Sequence, residues 1–334
     1  MTERFLIETR PDEFWPGDTI VLRDRVDESW ARIVPSLGCN LVSFGAMVSG
    51  RTVEAFLQPG DEEPAQAPGH YGAPVLFPFP SRLRDGRARF GGRQIAVDRA
   101  PGQQHAIHGL VRQQPWRVDH LAASADGAVA RFSVESDADI LRQFPFPFRL
   151  TLTFRLSGRS LRVTIEGVNL GDAPMPTGFG WHPYFRLPLV PGGDRRAASM
   201  RVPARSLWKL DSTLVPTGEV VAVPPERDFR TRRALGAIHL DDVFTDLERQ
   251  GDESSCEFAD PATGAVLRVA AGATFREWVV YAPPSRPTIC FEPYTCPTDA
   301  FNLSEGGRDV GVIVLKPGER WTDWMELSLT DSAR

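Results

Sequence analysis

Cysteine is scarce and unpaired in this chain. The four residues, Cys39, Cys256, Cys290 and Cys296, form no CxxC pair, and the Cys290 to Cys296 spacing fits no zinc pattern. A disulfide framework and a zinc-thiolate site therefore drop out, leaving reduced, structural thiols. No apolar run reaches membrane-spanning length. The start, Met1-Thr2-Glu3-Arg4-Phe5, lacks the basic opening and apolar stretch of a secretory signal. A cytoplasmic protein without a membrane partner is the expectation. Positive charge is not in excess either: 38 Lys and Arg stand against 43 Asp and Glu, for a net charge of -5 and a pI near 5.8. That balance gives no electrostatic reason to bind nucleic acid. Internal repeats, low-complexity tracts and long helical periods are missing, and the 29 prolines would break long helices.

What is present is a strand pattern on a globular composition. With 42% hydrophobic and 24% charged residues in 334, the chain has enough apolar mass for a sizeable core. Phe148, Leu150, Leu152, Phe154 and Leu156 alternate with Arg149, Thr151, Thr153 and Arg155, the period of a strand with one buried face. After the turn Ser157-Gly158-Arg159-Ser160, Leu161, Val163 and Ile165 resume the alternation, so Phe148 to Val168 reads as an antiparallel hairpin. Further strands are expected at Trp30 to Val34, Leu41 to Val48, Gln94 to Val97, Trp116 to Leu121, Ala128 to Glu135, Val266 to Ala270, Glu277 to Tyr281, Thr288 to Phe291, Val312 to Leu315 and Trp324 to Leu329. Gly, Pro, Asp and Ser clusters separate most of them. Gln58 to Gly69 and Pro188 to Arg196 read as loops, yet neither divides regions of different composition. An all-β fold, a large antiparallel sandwich in one domain over residues 1–334, is expected.

Polar residues suited to acid/base chemistry recur in short segments rich in aromatics, glycine and proline. They are Pro80-Ser81-Arg82, His105-Ala106-Ile107-His108-Gly109, Gly180-Trp181-His182-Pro183-Tyr184-Phe185, Leu240-Asp241-Asp242-Val243-Phe244 and Phe291-Glu292-Pro293-Tyr294. Folding that joined them would assemble two imidazoles, two carboxylates and a guanidinium, a set suited to proton transfer on a carbohydrate.

At these motifs the sequence resembles the aldose 1-epimerase (galactose mutarotase) family. Pro80-Ser81-Arg82-Leu83 with Asp85-Gly86-Arg87 looks like the family's Asn-Arg-Ile segment and the hairpin after it, and Ile107-His108-Gly109 its Leu-His-Gly motif. His182-Pro183-Tyr184-Phe185 resembles its His-x-Tyr-Phe motif, and Asp241 with Phe244 its Asp-x-x-aromatic element. Phe291-Glu292 followed by Asn302 resembles its Glu strand and downstream Asn. Pro216-Thr217-Gly218-Glu219 and Leu315-Lys316-Pro317-Gly318-Glu319 are similar to its turns. The resemblance runs in order from Trp30 to Leu329. It implies a galactose-mutarotase-like β-supersandwich and an isomerase of carbohydrate metabolism that exchanges α and β sugar anomers with no cofactor and no metal.

In that reaction a base removes the anomeric hydroxyl proton while an acid protonates the ring oxygen. The resemblance assigns Glu292 as base, His182 as acid and His108 as a hydrogen-bonding partner near the ring oxygen. Arg82 and Asp241 are the implied substrate-binding residues, with Asp242 an alternative to Asp241. Each positioned proton transfer contributes about 10² to 10⁴ in rate. Trp181, Tyr184 and Phe179 are candidates for stacking on the sugar, although aromatics in strands also build cores. Two departures stand out: Ser81 replaces the family's usual Asn, and Gly180-Trp181-His182 replaces Thr-Asn-His. Arg84, Arg87, Arg89 and Arg93 near Arg82 leave a hexose-6-phosphate substrate open. Other readings are a glycoside hydrolase using Asp241 and Glu292, and a non-catalytic sugar-binding protein on the same fold.

Overall fold

A computed structural model describes residues 3–62, 66–190 and 192–332. Residues 1 and 2 of the expected leaderless start lie outside these. So do residues 63–65 and 191, within the two expected loops.

The predicted hairpin forms as Phe148–Ser157 paired antiparallel with Ser160–Asn169, Leu152 opposite Ile165. Gly158, at φ +60°, supplies the left-handed turn residue. Phe148, Leu150, Leu152, Phe154 and Leu156 are fully buried, as are Leu161, Val163 and Ile165. Burial of one such side chain is worth roughly 1.5–3 kcal/mol, so the alternation fixes the face of the strand as well as its existence.

This hairpin sits inside a nine-stranded antiparallel sheet that continues through Arg320–Asp331, Ala265–Ala271 and Ser254–Asp260. A second sheet has eight strands. Its central path runs Ala204–Leu210, Leu240–Leu247, Glu277–Ala282, Thr288–Tyr294 and Gly180–Trp181. The sheets face one another, as Phe258 of the first and Phe291 of the second show with ring centroids 6.2 Å apart. Phe5–Pro11, Asp18–Asp24, Ser29–Val34, Asn40–Val48 and Arg51–Glu54 make a separate five-stranded meander.

The expected all-β sandwich is therefore observed, and the ten further strands named from sequence all coincide with strands within a few residues. Alternation did not reveal Phe5–Pro11, Asp18–Asp24, Ala204–Leu210, Leu240–Leu247 or Ser254–Asp260. In Asp18–Asp24 the run Ile20-Val21-Leu22 is buried on both faces, which erases the period of two. Among the described residues helix is confined to short pieces such as Ala138–Gln143, where Asp137 accepts the Ile140 N–H at 2.8 Å, and Ala300–Leu303. Among the described residues no helix is long and apolar enough to cross a membrane.

Candidate active site

The site begins with the alternation of Thr288–Tyr294. Ile289 and Phe291 join the core between the sheets, so Cys290, Glu292 and Tyr294 point to the opposite face. Strand register then sets their neighbours. Glu292 lies opposite Val279, while Tyr281 lies between Cys290 and Asp241 on its two flanking strands. Glu292, Tyr294, Val279, Tyr281 and Asp241 floor a cavity of about 260 Å³.

Loops bring the remaining walls. Gly180 pairs with both Tyr294 and Leu76, and a Cβ there would lie 2.7 Å from Pro80 and from the Tyr294 ring. That close approach delivers His182, whose N–H donates to the Pro74 carbonyl at 3.1 Å. The His182 ring stacks on Tyr184 at 4.4 Å and 18°, and meets His108 edge-on at 5.2 Å and 80°. His108 itself has φ +67°, held by its N–H donating to the Ser81 carbonyl at 2.7 Å. Gly109 must follow, because at φ +65° a Cβ would stand 2.3 Å from the Phe77 carbonyl oxygen. Ile107 pairs with Arg82, which sets the guanidinium beside the same cavity.

At the centre, His182 Nε2 and Glu292 Oε1 are 3.4 Å apart, and the Tyr294 hydroxyl donates to Glu292 Oε2 at 2.5 Å. Burial pushes the Glu292 carboxyl well above its usual range, against the opposing pull of the Tyr294 hydrogen bond; nearby Asp241 adds to the rise and Arg82 resists it. Burial lowers His182 to about 3, with the positive surroundings of Arg112, Arg286 and His70 adding to the effect. His108 is likewise held well below the usual histidine value, by burial first and then by His182, Arg112 and Arg82. Asp241 is raised by burial, which Arg82 counters. The Nδ1 atoms of His108 and His182 are buried with no hydrogen-bond partner among the described residues.

Among the described residues one set could hold a cation: His182, Cys290 and Glu292 offer ligand atoms within 4.8 Å of one another. Burial holds the Cys290 thiol well above its ordinary value, and so in the form that ligates poorly. All four cysteines are buried and free.

Arg82, His108, His182, Tyr184, Asp241 and Glu292 thus line one cavity, together with Ser81. Trp181 does not: strand alternation turns it from the cavity into the core, where it is fully buried, and Phe179 is buried there too. Neighbouring Asp242 pairs instead with Arg227, so it is Asp241 that reaches the cavity. His105 is structural, accepting the Asp85 N–H at 3.0 Å and bonded to Thr213 at 2.9 Å. Asn302 donates to Asp299 at 2.7 Å and to the Arg87 carbonyl at 2.9 Å, bracing the loop that carries Arg82. Sequence reasoning missed His70, Tyr281 and Arg286 in the lining and gave Tyr294 no role. Tyr281 and Tyr294 were accessible from strand alternation, whereas His70 and Arg286 sit in turns without a periodic signal.

A buried carboxylate–imidazole pair on the outer face of one sheet, flanked by a guanidinium and a second carboxylate, defines an acid/base pocket on an all-β supersandwich. The chain belongs to the aldose 1-epimerase family, which it matches over residues 25–328. Its architecture is that of a galactose mutarotase-like protein from Clostridium acetobutylicum, with TM-score 0.86, 22% identity and coverage of 98% of this chain and 99% of the other. Galactose 1-epimerase from Lactobacillus acidophilus aligns with TM-score 0.72 at 16% identity, over 98% of each chain. By sequence, the chain is 24% identical to the uncharacterized protein YihR of Escherichia coli over 272 residues, 78% of this chain and 82% of the relative.

Proposed function

We propose that this protein is a cofactor-independent aldose 1-epimerase that interconverts the α and β anomers of an unphosphorylated hexose. The observation that carries the reading is the 3.4 Å approach of His182 Nε2 to Glu292 Oε1 at the floor of the cavity. Glu292 takes the proton of the anomeric hydroxyl while His182 gives one to the ring oxygen. The C1–O5 bond breaks, the aldehyde turns about C1–C2, and reclosure returns both protons. Arg82 and Asp241 orient hydroxyl groups, and His108 stands beside the acid.

Proton count explains how one pair runs both directions. Ring opening converts carboxylate and imidazolium into carboxylic acid and imidazole, and closure reverses this, so the pair always carries a single proton. Burial favours the two neutral forms. The neutral pair is therefore the resting form, and the bound sugar must draw the proton from Glu292 to His182 before ring opening.

The arginines that left a phosphosugar open do not support that alternative. Arg84 is paired with Asp211 at 3.1 Å and Asp299 at 3.5 Å. Arg87 and Arg89 line a different surface groove with Gln94 and Asn302. NMR exchange or polarimetry on free and 6-phosphorylated aldoses tests the proposal. Accelerated anomer exchange of a free hexose is expected. Binding of sugars with no acceleration of any would assign a non-catalytic role.

A further inference from the structure

We propose that Arg286, clamped by Glu62, is a specificity-determining residue that reads one hydroxyl of the sugar and reserves the pocket for uncharged aldoses; this rests on the aldose reading of the site. Arg286 lies in the turn before Thr288–Tyr294 and lines the cavity beside His70 and Tyr184. Its guanidinium carbon stands 5.5 Å from the Tyr184 ring centroid, and Tyr184 in turn stacks on His182. The group is thus one aromatic ring away from the reacting pair, yet ring opening has no use for it.

Its hydrogen bonding decides what it can recognise. Nε donates to Glu62 Oε2 at 3.0 Å and Nη2 to Glu62 Oε1 at 2.6 Å, the two-pronged fork that a carboxylate or phosphate ligand would otherwise occupy. Nη2 also reaches the His70 carbonyl at 3.4 Å. Nη1 has no protein partner among the described residues. Nη1 keeps two N–H groups on a single nitrogen, which suit a neutral hydroxyl oxygen, and with Nε and Nη2 engaged no two-nitrogen fork is left for an anion. The side chains of Arg286 and Glu62 are only 17% and 11% exposed, so their charges face each other with little water between and a second anion would meet Glu62. Arg82 across the cavity acts on Asp241 only through space, without an ion pair, so it is the Arg286 side of the wall that is built for a ligand without charge.

The test uses Arg286→Met, Arg286→Lys and Glu62→Gln in the full chain, with melting curves to confirm folding. Substrates are glucose, galactose, glucose 6-phosphate and glucuronate. Wild type is expected to prefer the neutral sugars. Arg286→Met should raise KM for the neutral sugar preferred by wild type about tenfold with kcat within a few-fold, the loss of one substrate hydrogen bond. Arg286→Lys, which keeps charge without the fork, guards against misfolding of the Met variant and should also raise KM. Glu62→Gln frees the fork, and should shift the ratio of kcat/KM toward glucose 6-phosphate or glucuronate by about tenfold. Folded Arg286 variants with wild-type KM for every sugar, or a wild type that prefers an anionic sugar, would overturn the proposal. Should wild type accelerate no exchange, the epimerase reading fails, and dissociation constants of the same sugars and variants by calorimetry decide the specificity question separately. Absence of all sugar binding would sink both.

Discussion

His182 Nε2 lies 3.4 Å from Glu292 Oε1, although one residue follows the short strand Gly180–Trp181 and the other sits within Thr288–Tyr294. Gly180 joins the two, pairing directly with Tyr294. With the Tyr294 hydroxyl on the second carboxylate oxygen, Glu292 has one oxygen fixed and one facing the imidazole. In the proposed reaction that geometry serves the base: the carboxylate's orientation is set before substrate arrives, and its raised pKa suits removal of a hydroxyl proton.

Removing either member of the pair should stop exchange without unfolding the chain. Glu292→Gln keeps shape and can still accept from Tyr294, but cannot take a proton; kcat should fall by about 10² to 10⁴ with sugar binding retained. His182→Asn should lower kcat more than it raises KM. Saturation transfer NMR on a free hexose, with calorimetry for binding, reads both. Wild-type exchange in a folded Glu292→Gln variant would refute the assignment.

Legibility of the fold followed the physics of half-buried strands. Phe148 to Val168 was readable because one face meets the core and the other meets polar surroundings. Asp18–Asp24 was not, because apolar residues cover both its faces. Within the site, Glu292, His182, His108, Arg82 and Asp241 stood out through motif context, and all line the cavity. Trp181 misled because its motif neighbour His182 enters the cavity while strand alternation sends Trp181 the other way. Arg286 stayed hidden since its place in the lining is set by its ion pair with Glu62, a partner distant in sequence and joined only by tertiary structure.

The acid side of the pH profile should lie unusually low. A working pair carries one proton, so activity falls only when a second proton enters. Burial lowers His182 to about 3 and holds His108 and His70 below the ordinary 6.5 as well. The expected kcat/KM is flat as pH falls through 6.5. An acid limb with its midpoint near 6.5 would show that an imidazolium is stabilised in the cavity, contrary to these surroundings.

Arg87→Ala and Arg89→Ala should leave turnover of free hexoses within about twofold of wild type, as expected for surface changes away from packed features. Both residues border a groove separate from the cavity that holds Glu292 and His182. Steady-state rates on glucose and glucose 6-phosphate check this. A rise in KM confined to the phosphorylated sugar would restore the arginine hairpin as a phosphate site.

Glu277 provides a stability prediction independent of catalysis. It shares the outer face of the eight-stranded sheet with Glu292 but is 2% exposed, accepts the Trp208 indole N–H at 3.2 Å, and lies outside the cavity lining. Burial raises its carboxyl from the ordinary 4.5 to about 8, against the hydrogen bonds from Thr245 and Trp208. The sign follows from linkage: the folded state holds this proton more tightly than the unfolded chain, so the group's contribution is complete below about 4.5 and is lost as pH rises to about 8. Glu277→Gln keeps an acceptor for Trp208 and cannot ionise. The variant should match wild type near pH 4.5 and become more stable than it by on the order of 1–3 kcal/mol at pH 8 and above. Differences between paired denaturant titrations across this range isolate the one group, because every other titration is common to both proteins. A stability difference that stays constant with pH would mean that Glu277 is already ionised in the folded protein and that its surroundings compensate the buried charge.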